Sequence, residues 1–388
     1  LNDDEQILCK KYYFCKAIID TIYIMKQKLN EKSRIVIKIG SNVLTRSDGT
    51  LNITRMSALV DQITSLRTLG VDVILVSSGA VASGKSIIKP KSKLDIVSTR
   101  QLFSSIGQVK LINQYFTLFG YNNIVCGQIL TTKEDFSTRR HYLNQRNCMS
   151  VMLENGVIPI VNENDTISVN ELMFTDNDEL SGLVATMMNC ETLIILSNID
   201  GVYNGNPADV NSKVIREIDT KNTNIEDYIQ TSKSSSGRGG MQTKYNIACK
   251  IAEEGIEVII ANGQKDNILI DILNDKDTIC TRFRPAEKKV STVKKWIAHS
   301  TSFAKGEIHI NEGAKDALLG EKAVSLLPVG ITRIVGDFEV DDIVKIVDLQ
   351  GLQIGIGRTS FNNNEVQELI GKTNSKPIIH YDYLYLDK

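Results

Sequence analysis

The sequence predicts an α/β protein: a three-layer αβα sandwich with a mostly parallel central sheet, followed by a small all-β domain. Three observations carry this. From residue 34 to about residue 260, short β-branched apolar runs alternate with longer stretches of helical periodicity. The polar and glycine-rich motifs fall just after those runs. Beyond about residue 275 the helical stretches stop and short strand-like pieces follow one another. Strands alternating with helices make a parallel sheet covered on both faces, and ligands collect at the carboxyl ends of its strands.

The elements read in order as follows. Residues 34–39, RIVIKI, are apolar and β-branched and are closed by Gly40, which predicts a buried strand and a tight turn. Met56, Leu59, Val60, Ile63 and Leu66 repeat at helical spacing over 54–69, and Gly70 stops them. Residues 71–76 predict a strand that enters a Ser-Ser-Gly turn. The alternation continues with helix over 94–119, strand 124–130, helix 139–155, strand 157–161, helix 177–189, strand 191–196, helix 241–254 and strand 256–260. The later strands are expected at 306–310, 331–335, 343–347, 353–358 and 378–385, separated by Gly and Asp turns. The expected division is an N-terminal extension over 1–32, non-native or disordered, a catalytic domain over 33–280, a basic linker over 281–303 and a β domain over 304–388. Within the extension, 1–24 read either as an over-extended reading frame or as a short accessory helix. The linker assignment rests on Arg282, Arg284, Lys288, Lys289, Lys294 and Lys295.

The chain has 388 residues, 42% hydrophobic and 23% charged, so it can bury a sizeable core in two domains. Lys and Arg number 45 against 46 Asp and Glu, a balance that argues against a protein built to coat nucleic acid. Seven scattered cysteines without a C-x-x-C pair suggest neither a disulfide framework nor a zinc site. Buried free thiols in a reducing cytosol are expected, and the chain is read as cytoplasmic. No run approaches the ~20 apolar residues that span a bilayer. His141, His299, His309 and His380 show no metal spacing, and Tyr381, Tyr383 and Tyr385 are expected to pack on one strand face.

Two sets of motifs compete for the chemistry. Gly79-Ala-Val-Ala-Ser-Gly84-Lys85-Ser86 fits the P-loop pattern G-x-x-x-x-G-K-[ST] and follows a strand. The downstream Mg²⁺ aspartate of a P-loop protein is not evident, because the strand over 191–196 runs into Ser197-Asn198. The second set spans the whole chain. Lys38 closes the first strand, Ser77-Ser78-Gly79-Ala80 follows the second, and Asn162-Glu163-Asn164-Asp165 follows the strand over 157–161. Asp176-Asn177-Asp178 opens one helix, and Ser236-Gly-Arg238-Gly239-Gly240-Met241-Gln242-Thr243-Lys244 opens another. Phosphoryl transfer needs positive charge on the moving phosphate and in-line positioning. Lys38 and Lys244 can supply the charge, and the glycines let backbone N–H groups approach phosphates at a helix N-terminus. The acidic and amide residues can hold an amino group, orient the lysines, or bind Mg²⁺ through water.

These motifs, in this order, resemble the amino-acid-kinase family, and the resemblance runs from about Arg34 to the C-terminus. It is specifically to members that phosphorylate the γ-carboxylate of L-glutamate with ATP, the first step toward proline. Gly306-Glu-Ile-His-Ile-Asn-Glu-Gly313 and Ser325-Leu-Leu-Pro328-x-Gly330 look like the PUA domain that many bacterial members carry. The resemblance implies that Lys38 and Lys244 stabilise the phosphoryl group in flight and that Asp178 organises them. It implies that Ser78, Asp165, Asn177 and Asp176 contact glutamate, with the backbone of Gly79 and Ala80. ATP contacts are implied for Lys38, Ser197, Asn198 and the loop Arg238, Gly239, Gly240, Met241, Gln242, Thr243 and Lys244. Mg²⁺ is expected with the nucleotide and not on direct protein ligands. Ser197-Asn198 departs from the Thr-Asp usual in the family. A homo-oligomer, dimer or tetramer, and feedback inhibition by proline are implied as well.

Sibling kinases acting on acetylglutamate, aspartate, carbamate or a nucleoside monophosphate are the alternative within the family, and the C-terminal domain argues against them. RNA binding through the PUA-like domain is the alternative outside it. A solvated linker is the plainer reading of the basic stretch, so RNA is not favoured.

Overall fold

The computed structural model describes residues 33–136, 139–168, 176–207, 209, 211–219, 240–274, 276–286, 297, 303–320, 324–373 and 376–387. The N-terminal extension, Arg238, Gly239 and most of the basic linker lie outside the described residues. The described residues divide into two compact units, one within Leu1–Thr132 and Asn147–Glu287, the other within Lys133–Arg146 and Lys288–Lys388.

The chain runs β1 (Arg34–Ile39), α1 (Ser41–Leu44), α2 (Ile53–Thr68), β2 (Asp72–Ser77), α3 (Ala80–Lys85), α4 (Ile96–Gly120), β3 (Cys126–Thr131), α5 (Arg139–Glu154), β4 (Ile158–Glu163), α6 (Asn177–Met187) and β5 (Thr192–Ser197). It continues with β6 (Glu217–Ile218), α7 (Met241–Glu253), β7 (Glu257–Asn262), α8 (Ile268–Leu273) and β8 (Cys280–Phe283). The strands form one sheet in the order β3-β4-β2-β1-β5-β7-β8-β6. All pairs are parallel except β7 with β8. β4 and β5 are buried along their whole length, and β1 and β2 at all but the first residue. That is why their sequences are continuous apolar runs without alternation.

Side chains alternate across the sheet. Ile35, Ile37 and Ile39 share a core with Met56, Leu59, Val60 and Ile63 of α2, Leu111 and Tyr115 of α4, and Leu269 and Ile272 of α8. Val36 and Lys38 therefore face the other side, which α6 and α7 cover. Those two helices meet where Gly182 of α6 lies against Ile247 and Ile251 of α7. Helix starts carry the expected side-chain caps: Asn52 for α2, Asp95 for α4 and Asp176 for α6 each accept a backbone N–H.

α3, within the Ser-Ser-Gly turn, is not evident in the sequence. It crosses α4 in backbone contact. A Cβ on Gly84 would lie 1.8 Å from the Phe103 carbonyl oxygen, and one on Gly107 would lie 1.8 Å from that of Ala80. β8 corrects the linker boundary. Arg282, read as linker, is a strand residue paired with Glu257 at 2.9 Å, and Arg284 pairs with Glu217.

In the smaller unit β9 (Gly306–Ile310), β10 (Ile331–Gly336), β11 (Ile343–Val347), β12 (Gln353–Arg358) and β13 (Leu384–Leu386) form a sheet in the order β10-β9-β11-β12-β13. Its own core holds Ile308, Ile310, Phe338, Val344 and Ile346. The unit is β-rich, as expected, and also carries two short helices, α9 (Glu312–Leu319) and α10 (Asn363–Leu369). The strand expected over 378–385 is broken. Ile379 makes a single bridge to Leu326, Tyr381–Tyr383 form a 3₁₀ turn, and only then does β13 begin. The His380 side chain accepts the Asp382 N–H, and the Arg358 guanidinium lies 3.7 Å from the Tyr383 ring centre. The three tyrosines consequently do not share a strand face.

The α3–α4 crossing leaves no room for a methyl group. Gly84→Ala and Gly107→Ala should each cost about 1–3 kcal/mol or more by overpacking. Gly120→Ala, at the end of α4 with nothing near its would-be Cβ, should leave stability nearly unchanged. Thermal unfolding of the three variants checks this.

Candidate active site

The site is built where β1 and the N-terminal turns of α6 and α7 converge. Asp178, in the first turn of α6, has no solvent exposure. One of its oxygens lies 2.6 Å from Lys38 Nζ at the end of β1, and the other 2.8 Å from Lys244 Nζ in the first turn of α7. Lys38 and Lys244 are themselves buried. Burial alone would push the Asp178 carboxyl up, but the two ammonium groups outweigh it and hold the pKa well below the usual carboxylate range. The cluster carries two positive charges against one negative. A buried surplus of cationic N–H donors is suited to a group that gains negative charge as it moves.

Asn177, one residue earlier, links the ends of two strands, β2 and β4. Its side-chain amide donates to Ser78 Oγ at 2.8 Å, to Asn162 Oδ1 at 3.1 Å and to the Ser77 carbonyl at 3.3 Å. Asn162 in turn donates to Gln108 Oε1 at 2.8 Å. Asp176 caps α6 through one oxygen, which accepts from the N–H groups of Asp178 and Glu179. Its other oxygen is buried and, among the described residues, accepts no hydrogen bond. Burial and the neighbouring Asp178 push the Asp176 carboxyl up to about 6, against the pull of the two lysines.

A cavity of about 650 Å³ opens on these groups. Ser78, Gly79, Ala80, Asp165, Asp176 and Asn177 all line it, so the structure brings the residues expected to contact substrate onto one wall system. Gly79 takes φ +104°, a left-handed conformation that favours glycine, and lets the chain turn from β2 into α3. Ser197 and Asn198 stand at the end of β5. Gly240 precedes α7 without a side-chain cap, and Met241, Gln242, Thr243 and Lys244 form its first turn. Arg238 and Gly239 lie outside the described residues.

The P-loop pattern does not form a phosphate-wrapping loop. Residues 80–85 are helical, and the Ser83 N–H is already bonded to the Gly79 carbonyl. Gly79 is explained by its backbone angle and Gly84 by the contact with α4. Lys85, however, lines the same cavity. The residue that sequence reasoning missed is Arg100 on α4, also on the cavity wall. Its Nε lies 2.5 Å from Asp165 Oδ1 and an Nη 2.7 Å from Glu163 Oε2. Its one signal in the sequence was a cation at the start of a helix, where a macrodipole favours acids instead.

A strand-end lysine and a helix-start lysine sharing a buried carboxylate, beside a cavity at the carboxyl edge of a parallel sheet, are an arrangement suited to phosphoryl transfer. The profile of the amino acid kinase family matches residues 33–262, and that of the PUA domain matches residues 306–381. The chain belongs to the amino acid kinase family. Its relatives there include the glutamate 5-kinase of Bacteroides thetaiotaomicron, 65% identical over 364 residues that cover 94% of this chain and 100% of the relative. The glutamate 5-kinase of Chlorobaculum tepidum is 46% identical over 91% of this chain and 97% of the relative. That of Dictyoglomus thermophilum is 37% identical over 90% and 93%.

The raised Asp176 carboxyl has a consequence for the ligand-free protein. A folded-state pKa above the ordinary 3.8 means that this group's contribution to stability is fully present below pH 3.8 and is lost as pH rises through about 6. Asp176→Asn keeps the capping oxygen and removes the buried charge. The variant should therefore gain thermal stability relative to the parent as pH is raised across that window. Melting temperatures of both proteins measured from pH 4 to pH 8 check it, and a constant difference would contradict the assignment.

Proposed function

We propose that the protein transfers the γ-phosphoryl group of MgATP to the γ-carboxylate of L-glutamate, giving ADP and γ-glutamyl 5-phosphate, the first step of proline biosynthesis. The observation that carries this is the Asp178 carboxylate with a lysine on each oxygen, one residue from the Asn177 that faces the cavity. The attacking carboxylate is ionised at neutral pH, so no general base is needed. Lys38 and Lys244 meet the charge that builds on the equatorial phosphoryl oxygens, while Asp178 holds both ammonium groups in place. Ser78, Asn177 and the backbone around Gly79 and Ala80 receive the acceptor. Asp165 and the unpaired oxygen of Asp176 supply negative charge for its amino group.

The nucleotide is assigned to the Ser197-Asn198 end of β5 and to the N-terminus of α7, where first-turn N–H groups suit phosphates, together with Arg238 and Gly239. Mg²⁺ enters with ATP as part of that substrate. Proline shares the amino acid head of glutamate and is assigned as the feedback inhibitor. Val109 and Phe116, two turns apart and exposed on α4, support a homo-oligomer, dimer or tetramer. Free Cys126, Cys148, Cys190, Cys249 and Cys280 support a reducing, cytoplasmic setting. No described helix is long and apolar enough to cross a membrane. RNA binding by the PUA domain is not favoured, since the surplus of basic residues that would drive it is missing from the composition.

The purified protein with MgATP and a panel of acidic amino acids, scored for ADP and for acyl phosphate trapped as the hydroxamate, tests the reaction. Turnover should be selective for glutamate, and turnover of acetylglutamate or aspartate in its place would overturn the reading. Lys38→Ala and Lys244→Ala should each lower kcat by about 100-fold or more, the scale for losing a transition-state charge stabiliser. Lys85→Ala should be far milder on kcat. Asp165→Ala and Asn177→Ala should chiefly raise KM for glutamate, and an equal rise for ATP would move them to the nucleotide side.

A further inference from the structure

α4 ties the acceptor cavity together by a set of contacts that the transfer chemistry does not itself require. Its first turn is fixed by the Asp95 cap, which accepts the Ser98 N–H at 2.9 Å. Arg100, on the next turn, reaches across to the loop that follows β4. Its guanidinium grips Asp165 and Glu163, whose side chains are 7% and 3% exposed, while its own is 23% exposed and faces the cavity. Gln101 donates to the Thr166 carbonyl at 2.8 Å, and Gln108, two turns on, accepts from Asn162. The segment 162–166 is thus held by α4 at successive points, while the Gly84–Gly107 crossing fixes α4 against α3 on the opposite wall.

Within this strap Arg100 does something a neutral hydrogen-bond donor could not. Glu163 and Asp165 are two buried carboxylates that both pair with the Arg100 guanidinium. Taking its charge away strengthens their mutual repulsion and favours protonation of one of them. Among the described residues, the other charged groups on the cavity wall are Asp176 from the start of α6 and Lys85 from α3. We propose that Arg100 is a positioning residue of the acceptor pocket, clamping Glu163 and Asp165 so that Asp165 presents a fixed anionic oxygen to the amino group of the substrate. This rests on the reading of the substrate as an α-amino acid, and Arg100 takes no part in the transfer of the phosphoryl group.

The test uses the full chain with Arg100→Met, which keeps length without charge, Arg100→Lys, which keeps charge without the fork, and Arg100→Met combined with Glu163→Gln. Turnover of glutamate by the parent protein is established first, so failure of the substrate assignment is seen separately. In Arg100→Met, KM for glutamate should rise about tenfold or more, the scale of losing charge-assisted hydrogen bonds. KM for ATP should stay within about threefold. The ratio of that KM to the parent's should fall as pH increases between about 6 and 8, because the unclamped carboxylates share a proton, while the dependence that Asp176 gives both proteins cancels in the ratio. Arg100→Lys should recover part of the loss, and adding Glu163→Gln to Arg100→Met should make that ratio independent of pH by removing the rival acid. A folded Arg100→Met with unchanged KM for glutamate, or with equal losses for glutamate and ATP, would overturn the proposal. Should Arg100→Met fail to fold, Arg100→Lys decides by the same split: a rise confined to glutamate supports the clamp, and no rise or an equal rise refutes it.

Discussion

Two lysines cannot rest side by side in a buried site unless something anionic lies between them. Asp178 meets that requirement, and the rest of the site is arranged around it. Removing one partner of a buried ion pair costs about 3–5 kcal/mol, so a cluster of three such groups constrains the backbone that carries each of them. β1 must end where Lys38 reaches α6, and α7 must begin where Lys244 does. α6 must start with its first turn pointing at both. Three consecutive residues then divide the work of that turn: Asp176 closes the helix and faces the cavity, Asn177 joins the ends of β2 and β4, and Asp178 collects the cations. The charge centre and the cavity are therefore adjacent by chain connectivity, and no separate element is needed to bring them together.

Much of this was legible in the sequence, for physical reasons. β1, β2, β4, β5 and β7 are buried on both faces, so each wrote itself as an apolar run, and every polar motif downstream of such a run reached the carboxyl edge of the sheet. Lys38, Asp178 and Lys244 could be named because their motifs sit at those edges. Arg100 could not. Its partners are 65 and 63 residues away, and a cation on a helix ordinarily faces water. α3 was hidden because six residues show less than two turns of periodicity. β8 is short and lies beside the two-residue edge strand β6, and Arg282 and Arg284 look like linker until their partners Glu257 and Glu217 are in place. The helix α10 was readable in principle, since Asn362 and Glu365 form a capping box at the expected spacing. The P-loop pattern shows the opposite case. Its glycines are real structural requirements, but of a turn and a helix crossing, not of a phosphate cradle.

That crossing has one more implication. At Gly84 and Gly107 the two helices touch through carbonyl oxygens and Cα atoms, with no side chain between them. Side-chain contacts can be retuned by exchanging one apolar residue for another, and protein interiors absorb such exchanges by small shifts. A backbone contact offers no such adjustment, because peptide groups have the same size in every residue. The interval between α3 and α4 is accordingly a fixed gauge. The acceptor cavity inherits its span, since one wall hangs from each helix. Divergence toward a longer or shorter acceptor would have to proceed through residues that point into the space, such as Leu94, Ile96 and Thr99, while the frame around them stays at one width.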